Sequence, residues 1–117
     1  MNHYFVQTYT WNPWRNLAVE KYLADNMTHH VCYMHDGKNG YLEGIRTMKQ
    51  TQGIDYIEPH RAVAEGNFVG IQSQINYRGR VTSVVDLFRL EDGKIAEVWE
   101  CLFESVPETA AHQNTLF

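Results

Sequence analysis

Positive charge is scarce and scattered in this chain. Ten Lys and Arg stand against fourteen Asp and Glu in 117 residues, for a formal net charge of −4. No basic stripe or cluster forms, so a nucleic-acid partner is not expected. Cysteine occurs twice, at Cys32 and Cys101. That excludes a disulfide framework and agrees with a reducing compartment, so a cytoplasmic location is the expectation. No apolar run approaches the length of a membrane span, and residues 1–14 lack the basic start and apolar centre of a signal peptide, so no membrane partner is expected. Repeats and low-complexity stretches are absent as well. His29, Cys32 and His35 invite a zinc reading, but strand alternation sets His29 and His35 apart from His30 and Cys32, and the spacing matches no common zinc pattern. Neither a metal nor a cofactor is expected.

What is present is a chain with 44% hydrophobic residues, long enough for a real core and read as one domain over 1–117. Proline occurs three times. Pro13 follows Asn12 as the first residue of a helix behind its cap, and Trp14, Leu17, Ala18 and Tyr22 continue at helical spacing to about Asp25. Met27–Met34 reads as a short strand. Asp36 or Asn39 caps a second helix carrying Tyr41, Leu42, Ile45 and Met48 on one side, with Gly53 as its stop. From Ile54 the period changes to two. Pro59 places the strand that ends near Glu65 at a sheet edge or a bulge. After a turn at Gly66-Asn67 comes a strand with Gln72, Gln74 and Asn76 on one face and Val69, Ile71 and Ile75 on the other. Pro107 ends the last strand. Helices followed by a run of strands predict an α+β domain: a cone-shaped, curved antiparallel sheet with N-terminal helices packed over its concave face and a pocket between.

The stretch Arg80–Phe103 organises the rest. Two apolar runs are joined by Glu91-Asp92-Gly93, the pattern of a β-hairpin. Asp86 lies on the first arm and Glu100 on the second, both in apolar surroundings. A two-residue turn at Asp92-Gly93 would set Asp86 opposite Trp99 and put Glu100 on the other face. A three-residue loop with Gly93 left-handed sets Asp86 opposite Val98 and Glu100 diagonal to it on the same face, and this loop is the expectation.

Several segments in order resemble the SnoaL-like proteins of the nuclear transport factor 2 superfamily. Ala64-Glu65-Gly66-Asn67 is similar to the family's Ala-Glu-Gly-Asp turn. Val85-Asp86-Leu87-Phe88-Arg89 followed by Glu91-Asp92-Gly93-Lys94-Ile95 is similar to its central hairpin. Glu97-Val98-Trp99-Glu100 resembles Glu-His-Trp-Asp, and Asn114-Thr115-Leu116-Phe117 resembles Asn-Thr-Met-Phe. The likeness spans roughly residues 14–117. It implies the cone fold, a homodimer packed through the hairpin face of Val85, Leu87 and Trp99, and a family that includes polyketide cyclases, ketosteroid isomerases, dehydratases and epoxide hydrolases. Here Val98 stands where the family has His, Glu100 where it has Asp, and Gln72 where a strand His is common.

The resemblance implies that the positions of Asp86 and Glu100 lie in the cavity, with Glu100 the general acid or base. The physics agrees, since carboxyls in an apolar pocket titrate closer to neutrality and two neighbours separate into an acid and a base. The expected site is Asp86, Glu100 and His30 for catalysis, with Gln72, Gln74, Val98, Phe88, Tyr41 and Leu102 around the substrate. Tyr33 and Tyr56 are grouped with Tyr41, Phe88 and Leu102 as cavity wall or core. The expected activity is cofactor-independent enolate chemistry on a small, apolar, carbonyl-bearing molecule: aldol-type cyclisation, isomerisation or dehydration. The alternative is a non-catalytic binding protein or dimeric scaffold of the same fold.

Overall fold

The computed structural model describes residues 20–51 and 53–117. Its elements are β1 (Leu23–His29), α1 (Gly37–Thr51), β2 (Ile54–Glu65), β3 (Phe68–Tyr77), β4 (Arg80–Glu91) and β5 (Lys94–Ser105). The five strands form one curved sheet in the order β1-β5-β4-β3-β2. The meander from β2 to β5 is antiparallel, as expected, but β1 runs parallel to β5 along the edge, so the sheet is mixed. The helix expected at Asn12–Asp25 lies largely outside the described residues. Its last turn is overruled, because Leu23–Asp25 already belong to β1. No described helix is long and apolar enough to cross a membrane.

Local chemistry explains the boundaries. Asp36 stands immediately before α1, its Oδ1 accepting the Gly37 N–H at 2.9 Å. Tyr41 and Leu42 then fall on the face of α1 that meets the sheet, and the helix gives way at Gly53, whose φ of +71° suits glycine. Strand β2 is an edge and bulges between Pro59 and Arg61, which answers the proline in both expected ways. The main core lies between α1 and the sheet. Phe88, Ile95 and Val98 from the hairpin and Leu23 from β1 are fully buried there, with Ile71 from β3 against them. A smaller cluster of Ile54, Ile75 and Val84 continues the same face toward the far end of the sheet.

The central hairpin corrects the expected loop. Its turn has two residues, Asp92 and Gly93, with φ of +52° and +76°, and Glu91 pairs with Lys94. Left-handed backbone at both positions is the twist-matched hairpin turn that Asp-Gly favours. The register then shifts twice along β5, once at Ala96 and once at Cys101. Phe88, not Asp86, therefore opposes Val98, and Asp86 pairs directly with Glu100. The two carboxyls do share a face. An extra residue in the strand puts them there, where an extra residue in the loop was expected.

Candidate active site

Asp86 and Glu100 are cross-strand neighbours on the face turned to α1, a position that brings Cβ atoms to roughly 5 Å. Along β4, Asp86 lies between Val84 and Phe88 on this face, with Ile71 opposite on β3, and it is only 8% exposed. Burial pushes its carboxyl well above the ordinary carboxylate range, and the charge of Glu100 adds to the effect. Glu100 is half-buried, and burial raises its carboxyl too, while a hydrogen bond from Tyr33 works the other way. The Tyr33 hydroxyl donates to Glu100 Oε1 at 2.9 Å. Tyr41, buried on α1, feels both carboxylates, its hydroxyl pushed up by burial first, then by Asp86, then by Glu100. Two carboxyls and two phenols thus stand together, and among the described residues no Lys or Arg contributes to the shifts of either carboxyl.

A cleft of about 590 Å³ opens onto Glu100 and Tyr33. Met34, Met48, Tyr77 and Phe103 make up much of its apolar wall. Its position follows from the β1–α1 loop, which carries Tyr33 over the sheet. His29 anchors that loop. Its Nε2–H donates to the His35 carbonyl at 2.6 Å, and its Nδ1 accepts the Val31 N–H at 3.2 Å. With both ring nitrogens hydrogen-bonded to backbone, His29 serves the structure of the loop. Gly40 completes the anchor, because a Cβ there would stand 1.9 Å from the His35 carbonyl oxygen. Gly40→Ala should therefore lower stability by about 1–3 kcal/mol or more, since the clash is with backbone. A reduced urea midpoint would register this, and an unchanged midpoint would show that the loop gives way freely.

The structure sorts the expected site residues by face. Tyr41, Phe88 and Val98 are on the cleft side of the sheet but packed into the core, where they support the floor without lining it. His30 is on the opposite face. Its ring stacks on Trp99 with centroids 5.1 Å apart, and its Nε2 lies 2.7 Å from Glu97 Oε2. Glu97, which also accepts from Arg89 Nε at 3.1 Å, is held below the usual carboxylate range, first by His30 and then by Arg89. No path leads from His30 to the cleft through the sheet, so the expected triad reduces to its two carboxyls.

Gln72 and Gln74 are likewise on the outer face, and they hold the chain's own last residues. Gln72 Nε2 donates to the Leu116 carbonyl at 2.8 Å, and its Oε1 accepts from Arg61. Arg61 Nη2 donates to the Phe117 carbonyl oxygen at 3.1 Å. His60, hydrogen-bonded to Gln74, stacks on the Phe117 ring at 4.4 Å. The tail therefore packs behind the sheet, on the face away from the cleft. Leu102 is also displaced. The bulge at Cys101 turns it outward opposite Val85, 42% exposed, and gives its expected place in the cleft to Phe103 opposite Val84. Tyr33, grouped in the sequence with possible wall residues, does line the cleft. It does so from the loop after β1, which ends at His29 and not at Met34, and its hydrogen bond to Glu100 is what the sequence did not show. No group of three or more His, Cys, Asp or Glu side chains among the described residues could hold a metal ion.

Comparison with known proteins agrees with this architecture. No curated protein matches the chain. Among solved structures, a candidate polyketide cyclase from Sinorhizobium meliloti superposes with a TM-score of 0.69 at 18% identity, over 84% of this chain and 89% of that one. A candidate ketosteroid isomerase from Kribbella flavida gives 0.71 at 14% identity, over 97% and 82%. A de novo designed protein with a curved β-sheet gives 0.72 at 16% identity, over 92% and 90%. A likeness that extends to a designed protein reports the fold alone. In sequence, the SnoaL-like domain family matches residues 5–98, and the chain belongs to that family.

Proposed function

We propose that the cleft catalyses proton transfer at the carbon beside a carbonyl of a small, largely apolar molecule, without a cofactor. Aldol-type cyclisation, isomerisation and dehydration all begin with this step. The observation that supports it is the direct pairing of Asp86 with Glu100 beside an apolar cleft that reaches only Glu100. Burial lifts both carboxyls toward working pH, and mutual repulsion parts their titrations. Glu100, accessible and steadied by Tyr33, is the base that takes the α-proton. Asp86, the more deeply buried, keeps its own proton and is the neutral acid behind the cleft wall, paired with Glu100. The fold places no histidine at this point, since Val98 stands in the family's His position and is buried in the core.

The test is solvent exchange. In deuterated water the protein should catalyse α-deuteration of members of a panel of apolar ketones, followed by NMR. Ketones that bind the cleft yet exchange no faster than in buffer would overturn the reading. Tyr33 supplies a second check. Its hydrogen bond favours ionised Glu100, so Tyr33→Phe should raise the Glu100 pKa, and the alkaline-rising limb of the pH–rate profile should move to higher pH. An unmoved limb would mean that Glu100 is not the titrating base.

A binding-only role is the second reading, favoured by the burial of Asp86 behind the cleft wall. The homodimer is likewise a proposal. Trp99, Leu87 and Val85 remain partly exposed on the outer face, and sedimentation would show whether two copies join there. The exposed, unpaired thiols of Cys32 and Cys101 support a cytoplasmic setting.

A further inference from the structure

The cleft combines features that bear on the charge of its ligand. Among the described residues that line it are two carboxyl bearers, Glu43 at the mouth and Glu100 at the base, one imidazole, His35, and neither a Lys nor an Arg. Aromatic rings of Tyr33, Tyr77 and Phe103 surround the space, with Tyr77 and Phe103 edge to face at 5.1 Å and 87°. Thioethers of Met34 and Met48 fill between them, soft groups that adapt to a rounded ligand. Beside Glu100, Asp86 is more than nine-tenths buried on the same face, and among the described residues no hydrogen bond reaches its carboxyl. Buried carboxyls normally have a donor or a counter-charge, so an unpartnered one next to an open cleft points to a group supplied from outside.

The groups around this pair do not supply that charge. Tyr33 and Tyr41 are neutral phenols, and the His35 carbonyl is occupied by His29. At the mouth, Arg46 is held by Glu43 at 3.4 Å. Arg78 lies over the Tyr77 ring at 5.2 Å from its centroid, so one aromatic of this wall already faces a cation.

We infer that the cleft selects a cationic ligand: a compact molecule carrying a protonated or quaternary amine, whose positive nitrogen lies against Glu100, with Asp86 behind it, while its alkyl groups contact the Tyr33 and Phe103 rings. Anionic molecules, such as carboxylates and phosphate esters, are excluded by the same carboxyls. The inference deepens the proposed function by giving the carbonyl-bearing substrate an amine. It uses the same cleft but not the reaction.

Three probes of one shape test it: choline, its neutral isostere 3,3-dimethylbutan-1-ol, and the anion 3,3-dimethylbutanoate. Binding to the intact protein is followed by NMR titration at neutral pH. Choline should bind at least about tenfold more tightly than the alcohol, and the anion should bind least, given aromatic and carboxylate contacts to the ammonium. The preference should vanish in the Asp86→Asn, Glu100→Gln double variant, with folding checked by near-ultraviolet circular dichroism. If that variant does not fold, wild-type calorimetry decides alone. A bound cation favours ionised carboxyls, so choline binding should release protons, seen as a heat that varies with buffer ionisation enthalpy. Equal binding of choline and the alcohol, tighter binding of the anion, or choline binding without proton release would overturn the inference. Ketone exchange without cation preference would sink this inference and leave the reaction standing. Cation preference without exchange would do the reverse.

Discussion

Asp86→Asn and Glu100→Gln should each lower ketone α-proton exchange by about 10²–10⁴-fold, the usual worth of a positioned acid or base. Both replacements keep side-chain size and remove only the titrating function. The double variant should lose little more than the worse single one, because the two act on one proton transfer as a unit. Full exchange in both single variants would remove the carboxyl pair from the mechanism. Asp86→Asn carries an independent signature in stability. The folded-state carboxyl of Asp86 is raised above its ordinary 3.8, so the folded protein holds a proton that the unfolded chain releases. That proton favours the folded state at acid pH. The advantage is lost as pH rises from about 3.8 through the folded-state pKa. Asparagine does not titrate, so the variant should gain on the wild type over that window and be more stable at neutral pH. Urea midpoints at pH 4 and pH 8 measure the crossover. A gain independent of pH would place the effect in packing. Loss of activity with gain of stability is the trade expected of a side chain kept for chemistry.

Phe88→Ala should cost about 3–5 kcal/mol, the range for deleting a fully buried aromatic ring. Phe88 has no exposed surface and lies two residues from Asp86 on the same face of β4, opposite Val98. It packs within the cluster that joins the hairpin to α1 through Tyr41 and Leu42. The loss should appear as a lower urea midpoint at an unchanged slope. Because the ring supports the strand that carries Asp86, exchange activity should fall as well. Phe88→Leu should restore most of both. A drop under 1 kcal/mol would mean that the core refills from elsewhere.

Much of the sheet was legible because its signals are local. Period-two alternation and turn residues gave β3, β4 and β5 closely, and Pro59 announced both an edge and a bulge. The polar face of Gln72 and Gln74 was also read correctly as a face. Its direction was not, since alternation separates two sides without saying which meets the helix. The site was half legible for a related reason. Asp86 and Glu100 were expected together and are together, but by way of a bulge at Ala96 that nothing in Ile95-Ala96-Glu97 announces. The second irregularity, at Cys101, exchanged Leu102 for Phe103. His30 and His29 changed places in importance because the short strand begins earlier and ends sooner than its apolar run suggests. Tyr33 sits in a loop whose path is set by His29, His35 and Gly40 together, a three-body arrangement with no linear signature.

The pairing of β4 with β5 has a geometric consequence. Ten residues of β4, Thr82 to Glu91, run alongside twelve of β5, Lys94 to Ser105. Two surplus residues represent roughly 7 Å of extra contour at the usual rise of a strand. A ribbon whose two borders differ in length cannot lie flat. The hollow of the sheet is thus written partly as an inequality of lengths, and shortening β5 by Ala96 and Cys101 would leave every pairing partner in place while removing the slack that lets the sheet curve.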